Sequence, residues 1–300
     1  MNTPLRIAAA QFPVLDLGDW AELSYVLTRW VSTAAEQGAQ LLLFPEYAAM
    51  SLASLRPKAE QGDLQQELSA IQGYHADWLA LHARLAREHQ VHLLAGSFPL
   101  RISETTTRNR AHLFAPNGKS GWQDKWTMTR FETELWGIAP GDTLKVFDTV
   151  LGRLAVNICY DVEFPLLARA QVEAGAKIIL APSCTDTTAG YWRVRLGAQA
   201  RALENQCVVV QAPLVGDAPW SACVDVNVGM AGIYAPPDRG LPDDGVLAIG
   251  DWNVPQWVYA DVDPAKLDVV RADGQVFNHR DWSRQPGLGS LPNVAVEDLR

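Results

Sequence analysis

The segment LGRLAVNICYDVEFP, residues 151–165, runs apolar to a single cysteine, Cys159, and sets two acids, Asp161 and Glu163, just beyond it. A thiol attacks as thiolate, and nearby negative charge holds its proton in place. Cys159 is therefore either an inert core residue or one that draws a base and a positive charge from elsewhere in the chain. Cysteine is among the most often buried residue types, so position alone favours the inert reading. Against it, Cys159 ends an apolar strand pattern, where α/β folds place ligand sites, and a proline-led helix start follows. Glu46, in LLLFPEYAAM, also stands directly after an apolar strand and a proline. Alone it reads as a helix-start acid complementing the dipole. Lys125, in WQDKWTMTRFETE, is the candidate cation, though a single lysine in a strand ordinarily snorkels to the surface. Glu132 and Glu134 follow it at seven and nine residues, where surface charge is the default.

The elements that would position these side chains are legible as short apolar runs. LRIAAAQF (5–12), AQLLLFP (39–45), VHLLAGSF (91–98), AHLFAP (111–116), RLAVNICY (153–160), AKIILAP (176–182) and CVVVQAP (207–213) read as buried strands. Between them, 19–37, 75–89, 164–174 and 191–205 carry apolar residues at helical spacing. Gly38 and Gly175 stand where helix C-caps are expected. Asn117-Gly118 is a hairpin signal, and VNVGMAGIYAP, GVLAIG and QWVYADVD read as further paired strands. Strands alternating with helices predict a mixed α/β domain. The Pro/Gly-rich patches at 235–245 and 285–292 are too short to be linkers, so a single domain over 1–300 is expected.

Composition narrows the function classes. A net charge of −9 and a pI near 5.1 argue against a nucleic-acid surface and against electrostatic hold on anionic membranes. No apolar run is long enough to cross a bilayer, and MNTPLRIAAAQFP is too short in its apolar part for a signal peptide. Cys159, Cys184, Cys207 and Cys223, spaced 25, 23 and 16 apart, form neither a zinc motif nor a disulfide framework. Free thiols in a cytoplasmic protein are expected, with Cys184, Cys207 and Cys223 read as packed and inert. His75, His82 and His89 recur every seven residues on a predicted helix and read as a solvated face rather than a metal site. No Gly-x-Ser-x-Gly, Gly-x-Gly-x-x-Gly or Walker A pattern is present.

Taken together and in order, FPE (44–46), the lysine of QDKWTMTRFE (123–132) and NICYDVEFP (157–165) resemble the nitrilase superfamily of carbon–nitrogen hydrolases. RIAAAQFPV, Asn109 of RNRAHLFAPNG, RLGAQARALENQCVVVQAP, VDVNVGMAGIYAPPDRGLPDDGVLA and VRADGQVFNHRDW extend the resemblance over essentially the whole chain. It implies a four-layer α-β-β-α sandwich with two mixed sheets. It implies Cys159 as nucleophile, Glu46 as general base, Lys125 as cationic partner and Glu132, with Glu134 close by, as a second glutamate. The backbone N–H of Tyr160 is implied as an oxyanion donor. No metal or organic cofactor is implied. A homodimer or larger homo-oligomer is, with the C-terminal segment, about 265–300, in its contacts. Leu166 departs from the family, many members of which have glutamate there.

The implied chemistry is hydrolysis of a small, non-peptide amide through a thioester, releasing ammonia or amine and an acid. True nitrilases commonly have tryptophan and glutamate after the cysteine, whereas Tyr160-Asp161 looks more like the amidase-type branches. Carbamoylase and nitrilase activities stand behind amidase, and a non-catalytic binding protein retaining the fold is the alternative of another class. Pocket walls are expected from Tyr47 to Leu55, around Trp136, and from Thr185 to Trp192, with Tyr191 and Trp192 as an aromatic side or as core. Asp161 and Glu163 read as turn and helix-start acids.

Overall fold

The computed structural model describes residues 4–57 and 61–287. Its frame is two six-stranded sheets, each with three parallel strands at its centre. In the first, β1 (Leu5–Pro13), β2 (Leu41–Leu43) and β3 (His92–Arg101) run parallel. β4 (Thr107–Phe114) and β5 (Ser120–Asp124) continue antiparallel from β3, and β13 (Gln256–Val262) pairs antiparallel with β1 on the other side. In the second, β7 (Gly152–Val156), β8 (Ile178–Ser183) and β9 (Val208–Asp217) are parallel. β6 (Val146–Thr149) pairs antiparallel with β7, while β11 (Gly232–Tyr234) and β12 (Val246–Ile249) extend antiparallel from β9. The sheets meet where the ends of β1 and β9 pair, Phe12 with Leu214 and Pro13 with Val215. A two-residue strand, β10 (Val226–Asn227), pairs with the far end of β9.

Strand periodicity sorts the core. Leu5, Ile7 and Ala9 of β1 pack in one cluster with Leu154, Ile178, Val209 and their neighbours from the second sheet. Ala8, Ala10 and Phe12, from the opposite face, pack beneath the helices α1 (Trp20–Glu36) and α3 (His75–Glu88). A short helix, α2 (Leu64–Ala70), lies between them in the chain. On the second sheet the cover is α4 (Pro165–Glu173) and α5 (Thr188–Asn205), which bury Ala168, Val172, Val194, Ala198 and Ala202. The architecture is the expected four-layer sandwich. Helix starts follow local chemistry: Asp19 accepts from Glu22 N at 2.8 Å, Thr187 Oγ1 from Gly190 N at 3.1 Å, and Pro165 opens α4. Gly38 and Gly175, at φ +80° and +97°, end α1 and α4 as left-handed caps. After β13 the chain forms α6 (Pro264–Asp273) and α7 (Asn278–Asp281). Residues 288–300 of the segment expected in oligomer contacts lie outside the described residues.

Two differences from the sequence reading have plain causes. The strand expected over 153–160 ends at Val156, because the chain turns at Cys159, which has φ +49°. His82 is not on a solvated face. It continues the buried stripe of Trp78, Leu81 and Leu85 and is itself fully buried. Burial pushes its pKa down to about 4, and the neutral ring donates from Nδ1 to the Trp78 carbonyl at 2.8 Å. No helix among the described residues is long and apolar enough to cross a membrane.

Candidate active site

Glu46 is delivered by the sharp turn after β2. Tyr47 adopts a left-handed backbone, φ +57°, and its N–H donates to Ser97 Oγ at 2.9 Å. The turn lies tightly on β3, where a register shift falls between Leu94 and Ser97. Gly96, at φ +70°, permits that approach, since a Cβ there would collide with the Pro45 carbonyl oxygen.

Lys125 follows β5, its backbone N–H bonded to Asn109 O at 2.8 Å and its carbonyl to Gly141 N at 2.7 Å. The buried ammonium donates to Glu46 Oε1 at 2.8 Å and to Glu132 Oε2 at 2.6 Å. Glu132 starts a π-helical turn, Glu132–Trp136, and its Oε2 also accepts from Thr129 N and Thr129 Oγ1, each at 2.9 Å. Tyr47 Oη donates to Glu132 Oε1 at 2.6 Å. Asn109 Nδ2 bridges the two acids, at 2.8 Å from Glu46 Oε1 and 3.2 Å from Glu132 Oε1. Glu134 faces outward to an exposed Arg130 at 2.8 Å, so Glu132 is the acid that meets Lys125.

Cys159 opens a 3₁₀ turn, Cys159–Glu163, beyond β7, and its buried thiol points to the Cys184 carbonyl at 3.7 Å. Asp161, two residues on, is an acid of that turn and is buried. Its carboxylate accepts from Ile158 N at 3.2 Å, Thr127 N at 2.7 Å and Trp126 N at 3.1 Å. One side chain thus ties the residue before Cys159 to the two residues after Lys125. Burial raises its pKa to about 6, against the pull of Lys125 and of these N–H groups.

The electrostatics separate the two glutamates. Burial lifts Glu46, further aided by Glu132, and despite Lys125 its pKa rises to about 7. For Glu132, burial is outweighed by Lys125, Tyr47 and Thr129, and its pKa is lowered. Burial alone would lower Lys125, but Glu132 and Glu46 raise it well above the usual lysine range. Cys159 is pushed well up by burial and by Glu46, which outweigh Lys125. At neutral pH Lys125 and Glu132 form the fixed ion pair, Glu46 is poised to exchange a proton, and Cys159 is a thiol. The ammonium does not by itself make a thiolate.

Glu46, Lys125, Glu132 and Cys159 all line one cavity of about 640 Å³. Tyr47, Trp136 and Tyr160 line it as well, Trp136 leaning on Tyr47 with ring centroids 4.7 Å apart. Tyr191 and Trp192 do not. On α5 it is Gly190, Arg193 and Val194 that face the cavity, a helical i, i+3, i+4 set that turns the two aromatics away. Tyr191 is buried against Trp252, and Trp192 lies partly exposed beneath the Arg195 guanidinium. Of residues 47–55 only Tyr47 lines the cavity, the remainder forming a largely buried 3₁₀ helix, Ala48–Leu55. Cys184 and Cys223, expected to be packed away, contribute to its wall, as do Glu163 and a stretch around β10 comprising Ala222, Asp225, Val226 and Asn227. The sequence marks Val226 and Asn227 as the start of a strand pattern, but nothing in it directs them to this wall. They arrive through the pairing of β10 with β9.

This fold and this cluster define a class. The carbon–nitrogen hydrolase family matches residues 6–271, and the chain belongs to that family. Among curated relatives, a probable hydrolase, YhcX, of Bacillus subtilis is 34% identical over 94% of this chain, which spans 54% of that relative, about half its length. The deaminated glutathione amidase of Synechocystis sp. is 30% identical, covering 83% of this chain and 89% of its own. Human omega-amidase NIT2 is 26% identical over 84% of this chain and 86% of its own. Saccharomyces cerevisiae Nit3 superposes with a TM-score of 0.68 at 20% identity, covering 91% and 94% of the two chains. An amidase from Nesterenkonia sp. gives 0.65 at 23%, covering 94% and 97%.

Two outcomes follow from this geometry. If Glu46 is the base that the resemblance implies, it accepts a proton only when ionised, and kcat/KM should fall about tenfold per unit as pH drops below about 7, the raised Glu46 value. A pH–rate profile checks it, and activity flat from pH 7 to 5 would contradict the base assignment. Asp161→Asn places an NH₂ among N–H donors, which should cost about 1–3 kcal/mol of stability. Displacing both segments should slow turnover by up to about a hundredfold, short of the loss on removing the thiol. Urea unfolding and kcat measured together decide this.

Proposed function

We propose that the chain is a cysteine-dependent amidase that cleaves the non-peptide carbon–nitrogen bond of a small amide through a thioester. The observation that carries the reading is the buried Lys125, held between Glu46 and Glu132 on the wall it shares with Cys159. The amidases among the relatives support it.

In this reading Glu46 takes the thiol proton as Cys159 sulfur bonds to the carbonyl carbon. Charge develops on the former carbonyl oxygen, and the Lys125 ammonium and the Tyr160 N–H stabilise it. Glu46 then gives its proton to the nitrogen, the C–N bond breaks, and ammonia or amine leaves. Water next loses a proton to Glu46 as its oxygen attacks the thioester. The sulfur departs, regains its proton from Glu46, and the acid is released. A thiol with a raised pKa suits this cycle, because the proton moves only as the bond forms. Glu132 keeps Lys125 charged and in place throughout, while Asn109 bridges the two acids and Tyr47 steadies Glu132.

A homo-oligomer belongs to the same reading. Leu196 and Leu203 on α5 and Val269 on α6 are exposed, 60%, 40% and 61% respectively, and support it. Light scattering of the purified chain should give a mass above 32.9 kDa, and a strict monomer would remove it. For the activity, wild-type protein incubated with aliphatic, aromatic, ω-functional and carbamoyl amides should release ammonia and gain an acyl mass. Cys159→Ala should do neither while keeping its circular dichroism. Ammonia release by that variant at the wild-type rate would sink the assignment.

A further inference from the structure

The amide chemistry leaves one charged group on the cavity wall without a task. Glu163 ends the 3₁₀ turn that Cys159 begins and lines the same cavity. Four residues of such a turn rise about 8 Å, so the Glu163 backbone stands roughly that far along the axis from the Cys159 backbone. That is the reach of a substrate's far end rather than of its reacting carbonyl. The Glu163 side chain is 21% exposed, and no hydrogen bond reaches its carboxylate among the described residues. Burial raises its pKa above the ordinary glutamate value, Arg193 only partly opposing it. Arg193 is its partner at 3.9 Å, beyond hydrogen-bond distance, on a side chain 62% exposed and so able to swing into solvent.

The remaining charges on the wall do not balance Glu163. Lys125, Glu46 and Glu132 satisfy one another in the reacting cluster. Arg130 is held by Glu134, which does not line the cavity. Asp186 and Asp225 add negative charge and have no ion pair among the described residues. Three carboxylates are thus left with Arg193 alone. Beside the polar Thr129, Thr185 and Asn227, an apolar part of the wall that includes Leu135, Trp136, Val194 and Val226 suits a hydrocarbon spacer.

We propose that Glu163 is a specificity-determining residue, selecting amides that carry a cationic group, an amine or guanidine, beyond the reacting carbonyl and displacing Arg193 as its partner. This rests on the amidase reading. A charge-assisted hydrogen bond to a partly desolvated carboxylate should favour such an amide by about tenfold to a hundredfold over its neutral isostere. An amide bearing a second carboxylate should be disfavoured by like charge.

The test compares kcat/KM for three matched series, ω-amino amides of three to six methylenes, the corresponding alkyl amides, and ω-carboxy amides. Wild type should prefer the amino series by at least about tenfold, and the advantage should shrink in high salt. Glu163→Gln should bring the amino-to-alkyl ratio close to one, and Arg193→Gln should raise it by freeing Glu163 of its competitor. If Glu163→Gln does not fold, the wild-type ratio and the Arg193→Gln ratio still decide. A wild-type preference for the alkyl or carboxy series overturns the proposal while leaving the amidase reading intact. So does an Arg193→Gln variant that loses carboxy amides and leaves the amino-to-alkyl ratio unmoved. Silence across all three series, with no acyl adduct on Cys159, overturns the amidase reading and this proposal with it.

Discussion

A lysine ammonium fully removed from water is tolerable only when it is paired and hydrogen-bonded, and Lys125 is held in that way by two carboxylates. The demand propagates outward. Two buried acids flanking one cation leave an excess negative charge, and a low-dielectric interior makes that excess costly. The excess is relieved by raising one acid, Glu46, to about 7 while the other stays ionised. Neutral donors absorb the rest: Asn109 reaches both acids, and Tyr47 and Thr129 serve Glu132. Removing any one member would leave a buried charge or a buried acceptor unmet.

The two-sheet frame is what lets distant segments meet at that cluster. Glu46 and Lys125 come from the first sheet, at the ends of β2 and β5, and Cys159 comes from the second, beyond β7. Among the described residues, the strands of the two sheets pair only at the ends of β1 and β9. Closer to the chemistry, Asp161 spans the two halves with one carboxylate. Two of the participating turns, at Tyr47 and Cys159, use left-handed backbone on non-glycine residues, a local strain of order 1 kcal/mol each. Such conformations persist only where surrounding bonds fix them, and Ser97 and Asp161 are those bonds.

Much of this was readable from the chain. The apolar runs placed Glu46 and Cys159 at strand ends but left each candidate with an inert reading. It was the resemblance to the nitrilase superfamily, carried by FPE, the lysine of QDKWTMTRFE and NICYDVEFP in order, that implied Glu46, Lys125 and Cys159 as one group. The choice between Glu132 and Glu134 was not readable. Two residues apart on a helical turn face different ways, and which one faces inward depends on the phase of the turn that starts at Glu132. The same phase problem misplaced Tyr191 and Trp192, where aromatic character pointed to a wall that Gly190, Arg193 and Val194 supply. His82 misled for the opposite reason: its seven-residue spacing hid its place on the stripe with Trp78, Leu81 and Leu85. The strand pattern that begins at Val226 does not say that β10 reaches the cavity, since a two-residue strand takes its position from its partner.

The opening difficulty, a thiol beside two acids, dissolves once the third dimension separates their tasks. Asp161 is turned away from the sulfur into backbone N–H groups, and Glu163 is carried along the turn to the cavity wall. The acid that matters to the sulfur is Glu46, which raises the thiol pKa in the resting state. An enzyme storing a thiolate would keep a strongly charged nucleophile beside an anionic cluster. In the proposed mechanism the proton stays on sulfur, whose pKa is raised, until a substrate carbonyl is present to accept electron density, and Lys125 would then face developing oxyanion rather than resting thiolate. On that proposal the cation serves the charge that forms during reaction, which is where stabilisation lowers a barrier.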